Sequence, residues 1–502
     1  MKRRAPVVFL AFALVALAAW RAACVLAGPD IDTDAYAHHM IARAILDNPR
    51  DLAVHWVWLP LFHYAQVPLV ALGGTMDHVR WANTLLAAVL PVAVFAYVRR
   101  TTTRGASQTS PEVTATFAAL IAAACPIAMQ MGTTAQPEPV FALLIFCAAV
   151  AFQENRYGRL AAILAAGVLL RYEAWACLVV VAAVLAADWR RPERRRGQAW
   201  IAVIVPASAI ALWAVLRRPV DGRWFGFLGQ TRAFATDAVH ETSALDRGLL
   251  GLARDLLYYP LLVPLRVMGP VLPLAAFGVA RTVRQQGSRF VLVLASCLGF
   301  VSLTWVLRSS LGLDRHFVVV VPLYAIFAAQ GAAAIADATA LRVARSRRKS
   351  KDPEGGAAAG RALGGLLSVA SLAGLLAMLS LWMGFWRGSL ERGFPEREAT
   401  GSYLRALPGS PTIYCDDATV EILSRLDRHR FDRHWLDDPH TWDLVAETAR
   451  ERGVAYVATW RRKLVGHEHA GTTTFQAGGV EGDAATGLGV MRVGPGALGA
   501  RP

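Results

Sequence analysis

Three acids stand within five residues in the stretch Gly28-Pro29-Asp30-Ile31-Asp32-Thr33-Asp34-Ala35-Tyr36. Carboxylates this close repel one another, so at least one must be held by hydrogen bonds, a cation or an arginine. Such groups suit proton transfer or the holding of a divalent cation. Further along, Glu138 stands between two prolines in Gln136-Pro137-Glu138-Pro139, Arg171 and Glu173 flank Tyr172, and Arg315 and His316 follow Asp314. Arg266 lies in a run containing Pro260, Pro264, Pro270 and Pro273. Guanidinium groups set in apolar surroundings bind phosphate, pair with acids or snorkel to the headgroups. His38, His39, His55 and His63 invite a metal reading, but their spacings do not put two ligands on one helical face, and we expect no bound metal.

The chain that must position these groups has 502 residues, 55% of them hydrophobic and 18% charged, against about 25% charged in an ordinary globular chain. This is a membrane composition. A bilayer-crossing helix needs about 20 apolar residues, and eleven segments approach that quality: 6–27, 79–98, 113–131, 137–153, 160–171, 174–187, 199–216, 256–279, 290–307, 317–336 and 362–386. The first is longer than the h-region of a signal peptide, about 7–15 residues, and reads as an uncleaved span. Residues 160–187 read as two short helices meeting at a polar turn around Arg171, and the prolines of 256–279 require an irregular helix. Five of the six cysteines sit in apolar runs, without a CxxC pattern.

The formal charge of +15 is unevenly distributed. The segments 2–4, 99–112, 153–159, 188–198, 280–289 and 337–361 hold twenty-three basic residues and seven acids, a net +16, so the rest of the chain sums to −1. Lys and Arg in short loops mark the cytoplasmic side. The expected topology has a cytoplasmic N-terminus and, with an odd span count, an external C-terminus. The basic runs Arg190 to Arg196 and Arg345 to Lys351 then answer to topology and anionic lipid, and nucleic acid is not an expected partner. Facing outward are the first loop 28–78, segments 217–255 and 308–316, and the tail. The expected fold class is a mainly α polytopic membrane protein of about eleven transmembrane helices, residues 1–386, followed by a small external α/β domain, residues 387–502. In the tail, Thr412-Ile413-Tyr414 and Val454-Ala455-Tyr456-Val457 read as strands, 417–426 and 440–452 as helices, and Asp416-Asp417 as a strand-end turn. The run from Gly355 to Gly360 reads as a flexible linker, and the end beyond Gly478 as turns and short strands.

A first span, then an external acidic motif with Asp34 and Tyr36 leading into a helix carrying Ile41, Ala42 and Arg43, resembles the GT-C superfamily of integral-membrane glycosyltransferases. The likeness is to the family-39-like branch related to protein mannosyltransferases and aminoarabinose transferases. Gln136-Pro137-Glu138-Pro139, Leu170-Arg171-Tyr172-Glu173 and Asp314-Arg315-His316-Phe317 fall in the matching order over the first 340 residues or so. The resemblance implies inverting transfer of a sugar from a polyprenyl-phosphate carrier to a hydroxyl of a glycan, lipid or protein on the external face of a bacterial inner membrane. A first-loop acid would be the base: Asp34, or else Asp32, since this chain has Asp-x-Asp where many members have a contiguous pair. Asp30 reads as a solvated loop acid. Tyr36, Glu138, Arg171, Glu173, Arg266, Arg315 and His316 are the candidate substrate-binding residues. Against these roles stand a helix-capping Glu138, a structural Arg171 to Glu173 pair, a snorkelling Arg266 and an interfacial Arg315. No cofactor is required; a divalent cation on Asp32 or Asp34 is the alternative. The rival functions are a transporter or lipid-carrier flippase, which the lack of an internal repeat disfavours, and a non-catalytic polysaccharide-assembly protein.

Overall fold

The computed structural model describes residues 5–102, 109–190, 197–239, 248–347, 354–415, 417–426, 428–432, 440–460, 464–465, 473–477 and 488–493. Lys2 to Arg4, residues 191–196 and 348–353, Asp416 and the stretch 478–487 lie outside them. The chain divides into two compact units. One comprises Met1–Ala27 with Ile41–Gly388, the other Gly28–Met40 with Ser389–Pro502.

The first unit is helical throughout its apolar segments, because backbone N–H and C=O groups in hydrocarbon must pair within their own segment. Among the described residues, seven helices are long and apolar enough to cross a bilayer: Pro6–Ala27, Met76–Thr101, Gly197–Asp221, Gly248–Gln286, Ser288–Val306, Asp314–Arg342 and Ala362–Ala406. The protein is a multi-pass membrane protein. Shorter apolar helices run Pro111–Ala124, Glu138–Gln153 and Tyr157–Val168. The segment 113–131 breaks at Cys125, where Pro126 starts the short helix Pro126–Met131, since proline disfavours helical geometry in the residue before it. The four prolines of 256–279 have the expected effect: a π turn at Tyr258–Leu262, a helix Val263–Met268 and a 3-10 turn Gly269–Val271 precede the helix Leu272–Gln286. Residues 355–360 do not form a linker. They open the helix Glu354–Arg392, in which three alanines, the strongest helix formers, offset the glycines.

The helices Leu272–Gln286 and Val321–Arg347 cross at two glycines. A Cβ on Gly278 would lie 1.7 Å from the Phe327 carbonyl oxygen, and one on Gly331 would lie 1.9 Å from that of Leu274. Both neighbours are helix backbone, which cannot step aside. Gly331→Ala is therefore expected to destabilise the membrane unit by about 3 kcal/mol, seen as a lower thermal unfolding midpoint in detergent. An unchanged midpoint would contradict the crossing.

The second unit contains a five-stranded sheet. With β1 Ile413–Cys415, β2 Phe431–Asp432, β3 His440–Thr441, β4 Tyr456–Trp460, β5 Leu464–Val465, β6 Thr473–Ala477 and β7 Leu488–Arg492, its order is β2-β1-β4-β7-β6. β1 is parallel to β2 and β4, whereas β7 is antiparallel to β4 and β6. Alternation along the strands supplies two cores. Ile413, Cys415, Ala458, Leu488 and Val490 pack with Leu404 and Val420 of the helices Pro395–Ala406 and Ala418–Ser424. Tyr414, Val457 and Met491 pack with Val445 and Ala449 of the helix Trp442–Glu451. Asp417 caps Ala418–Ser424 by accepting from the N–H groups of Thr419 at 2.9 Å and Val420 at 3.2 Å, so its carboxylate has a structural use.

Candidate functional site

In the membrane unit four of the sequence candidates meet. Arg171 lies in the turn between Tyr157–Val168 and Glu173–Trp189, and Glu138 is the first residue of Glu138–Gln153. One guanidinium joins both acids: Arg171 Nη1 donates to Glu138 Oε1 at 2.7 Å, while Nη2 and Nε donate to Glu173 Oε1 at 2.8 and 3.1 Å. Arg315 Nε stands 3.6 Å from the same Glu138 oxygen. Glu138 and Glu173 are only 4% and 5% exposed. Buried charges of this kind persist only when paired, so Arg171 and Glu173 do form the structural pair, with Glu138 as a third member. Glu138 thereby draws two guanidiniums into one place, a geometry suited to a phosphate.

His316 and Arg266 extend the cluster. The His316 ring stacks on Tyr259 at 6.5 Å between centroids, and Tyr259 Oη donates to the Leu313 carbonyl at 3.0 Å. Arg266 forms an ion pair with Asp314, donates to Tyr258 Oη at 3.0 Å and lies over the Tyr258 ring. Its side chain is half exposed. Tyr258 and Tyr259 are not among the residues that the sequence pattern singles out. Their one signal there is a tyrosine pair directly before Pro260, where the π turn aims both rings at the segment carrying Asp314 and His316.

The aromatic stretch from His55 to His63 is fastened beside the Arg171 turn, where the Leu61 N–H donates to the Leu169 carbonyl at 2.9 Å. Arg217, 1% exposed, donates to the carbonyls of Leu52 at 2.6 Å and Trp56 at 3.3 Å and pairs with Asp221 at 2.6 Å. Tyr172, next to Arg171, donates from its hydroxyl to the Val57 carbonyl at 2.9 Å. Trp56 sits at φ 45°, a left-handed conformation costly for an aromatic residue. His55 and His63 bond to each other through their Nδ1 atoms at 2.8 Å. That separation is a direct hydrogen bond. Among the described residues no group of three or more His, Cys, Asp or Glu side chains is placed to hold a metal ion.

Burial, and then the nearby Arg217, lower the His55 pKa to about 3. Between the unfolded value of about 6.5 and 3, the unfolded chain takes up a proton that the folded chain refuses, so stability falls as pH falls through that window. At pH 5 the loss is about 2 kcal/mol. Thermal unfolding of wild type and His55→Phe across pH 7 to 5 measures it, the expected outcome being a shallower pH slope in the variant. Equal slopes would contradict this assignment.

The acidic motif belongs to the second unit. Asp32 precedes the helix Thr33–Asp47, and its Oδ1 accepts from the Asp34 N–H at 3.1 Å, the N-cap arrangement. Asp34 lies in the first turn, half-buried, and Tyr36 is buried with its ring edge-on to Phe394 at 6.1 Å. Asp30 is not the solvated acid expected. It is fully buried and accepts from the Asp32 N–H at 3.0 Å, because the chain turns on successive Asx bonds that draw its carboxylate inward. His38 and His39 are also buried.

The chain is similar in structure to ArnT, the aminoarabinose transferase, from Cupriavidus metallidurans. The fold is that of ArnT. In its form bound to undecaprenyl phosphate the TM-score is 0.58 at 13% sequence identity, covering 99% of this chain and 100% of that one. Against the apo state of ArnT the TM-score is 0.53 at 14% identity, covering 99% of both chains. The archaeal oligosaccharyltransferase AglB from Archaeoglobus fulgidus, in complex with an inhibitory peptide and a dolichol-phosphate, gives 0.52 at 11% identity over 90% of this chain and 69% of that one. ArnT and AglB are both GT-C membrane glycosyltransferases. No family model matches the sequence, and no curated protein matches it. The likeness to ArnT therefore lies in the fold.

Proposed function

We propose that this protein is a GT-C glycosyltransferase of the bacterial inner membrane that moves a sugar from a polyprenyl-phosphate carrier to an acceptor hydroxyl on the external face, with inversion. The observation that carries the reading is the joining of Arg171 and Arg315 through Glu138, inside a fold shared with ArnT bound to undecaprenyl phosphate. Residues 1–386 would form the membrane domain and 387–502 an external domain, with the net positive loops in the cytoplasm.

In the proposed reaction the acceptor oxygen attacks the anomeric carbon as the bond from that carbon to the phosphate oxygen breaks. The acceptor proton passes to the carboxylate of Asp34, and polyprenyl phosphate leaves as a monoester whose charge the guanidiniums of Arg171 and Arg315 neutralise. Asp32, whose carboxylate caps the helix through the Asp34 N–H, is the alternative base. Glu173 holds Arg171; Tyr36, Arg266 and His316 are further candidates for substrate binding. Protein side chains supply all the charges this step needs, so no divalent cation is included.

A single displacement inverts the anomeric centre. NMR of the product is expected to give the configuration opposite to that of the donor, with turnover undiminished by EDTA. Retention of configuration would overturn the mechanism, and abolition by EDTA would bring back a cation on the first-loop acids.

A further inference from the structure

Residues 132–137 join the helices Pro126–Met131 and Glu138–Gln153 without being helical themselves. The carbonyls of Gly132, Thr133, Thr134 and Gln136 must find partners outside a helix in a setting where water cannot replace them. One face of the helix Met76–Thr101 provides the donors. Thr84 Oγ1 donates to the Gly132 carbonyl at 2.9 Å and Arg80 Nε to that of Thr133 at 2.9 Å. Asn83 Nδ2 donates to two carbonyls, Thr134 at 2.8 Å and Gln136 at 2.6 Å. Positions 80, 83 and 84 have the i, i+3, i+4 spacing of one helical face, and all three side chains are buried. Because both partners of Asn83 are carbonyls, its amide can serve only as the donor.

The bond to Gln136 matters because Glu138 lies only two residues beyond it. Pro137 and Pro139 flank Glu138, and their rings fix φ and remove two N–H groups, so the Glu138 carboxylate has little freedom once the Gln136 carbonyl is held. Glu138 Oε1 in turn holds Arg171 and approaches Arg315, and Oε2 is buried without a hydrogen-bond partner among the described residues. We propose that Asn83, assisted by Arg80 and Thr84, is a positioning residue of the transfer site: it sets Glu138, and through Glu138 the spacing of the two guanidiniums that receive the donor phosphate. This rests on the reading of Arg171 and Arg315 as the phosphate site.

A double-mutant cycle in purified full-length protein, with undecaprenyl phosphate as the probe ligand, tests it. Asn83→Ala is expected to change the Kd for undecaprenyl phosphate about fivefold, in the same direction as Glu138→Gln, and less than about twofold when Glu138→Gln is already present. Thr84→Val, which keeps the volume and removes one donor, should give a smaller change with the same dependence on Glu138, and it serves if Asn83→Ala does not fold. An Asn83→Ala Kd equal to wild type, or a full-sized change in the Glu138→Gln background, overturns the proposal, because a merely structural residue would shift the unfolding midpoint alone or act independently of Glu138. Arg171→Ala separates the two claims. If it leaves the Kd unchanged, the phosphate site itself is wrong, whatever Asn83 does.

Discussion

Arg171→Ala is expected to lower sugar transfer by about a hundred- to a thousandfold per folded molecule, and to destabilise the fold as well. A charge that stabilises the departing phosphate is worth about a hundred- to a thousandfold in rate. In addition, Glu138 and Glu173 are left facing each other in a site from which both now exclude water, and breaking a buried pair by removing one partner costs about 3–5 kcal/mol. Arg171→Lys separates the two. Lysine restores the charge but, as a point donor, cannot bridge two carboxylates as the planar guanidinium does, so stability should recover more than rate. Initial rates normalised to the folded fraction check this, and a Lys variant with wild-type turnover would reduce Arg171 to a structural cation.

Asp34→Asn is the second large effect, an expected loss of about a hundred- to ten-thousandfold in kcat, the range typical of a general base. The informative comparison is with Asp32→Asn. Asparagine is as good an N-cap as aspartate, so that variant keeps the bond to the Asp34 N–H and should retain transfer within a few fold of wild type. Asp32→Ala, which removes the cap, should cost about 1 kcal/mol of stability and little rate. A collapse of rate in Asp32→Asn with Asp34→Asn active would move the base to Asp32, and full activity in both would remove the acidic motif from the chemistry.

Much of the architecture was legible because hydrophobic length and proline position act locally. The apolar segments fall on helices, the prolines of 256–279 break theirs, and the short strands at 413 and 456 lie in the sheet. Arg171, Glu173, Glu138 and Arg315 stood out as charges in apolar context, and the fold brings them together. What escaped depends on partners distant in sequence. Arg80, Asn83 and Thr84 look like the polar edge of an ordinary span, and only the approach of residues 132–136 gives them a use. Asp30 looked exposed because acids in loops generally are, whereas the turn buries it. The glycines at 355–360 suggested a linker because single-residue preference gives no weight to the long apolar helix that continues from them.

The most direct test of the central claim is the fate of both halves of the donor. Purified protein in proteoliposomes, supplied with polyprenyl-phosphate-linked sugars and candidate acceptors, should release polyprenyl phosphate only when acceptor is present, one molecule for each sugar transferred. Movement of the intact sugar-linked lipid between leaflets, with no polyprenyl phosphate released under any acceptor, would contradict the account and identify a carrier.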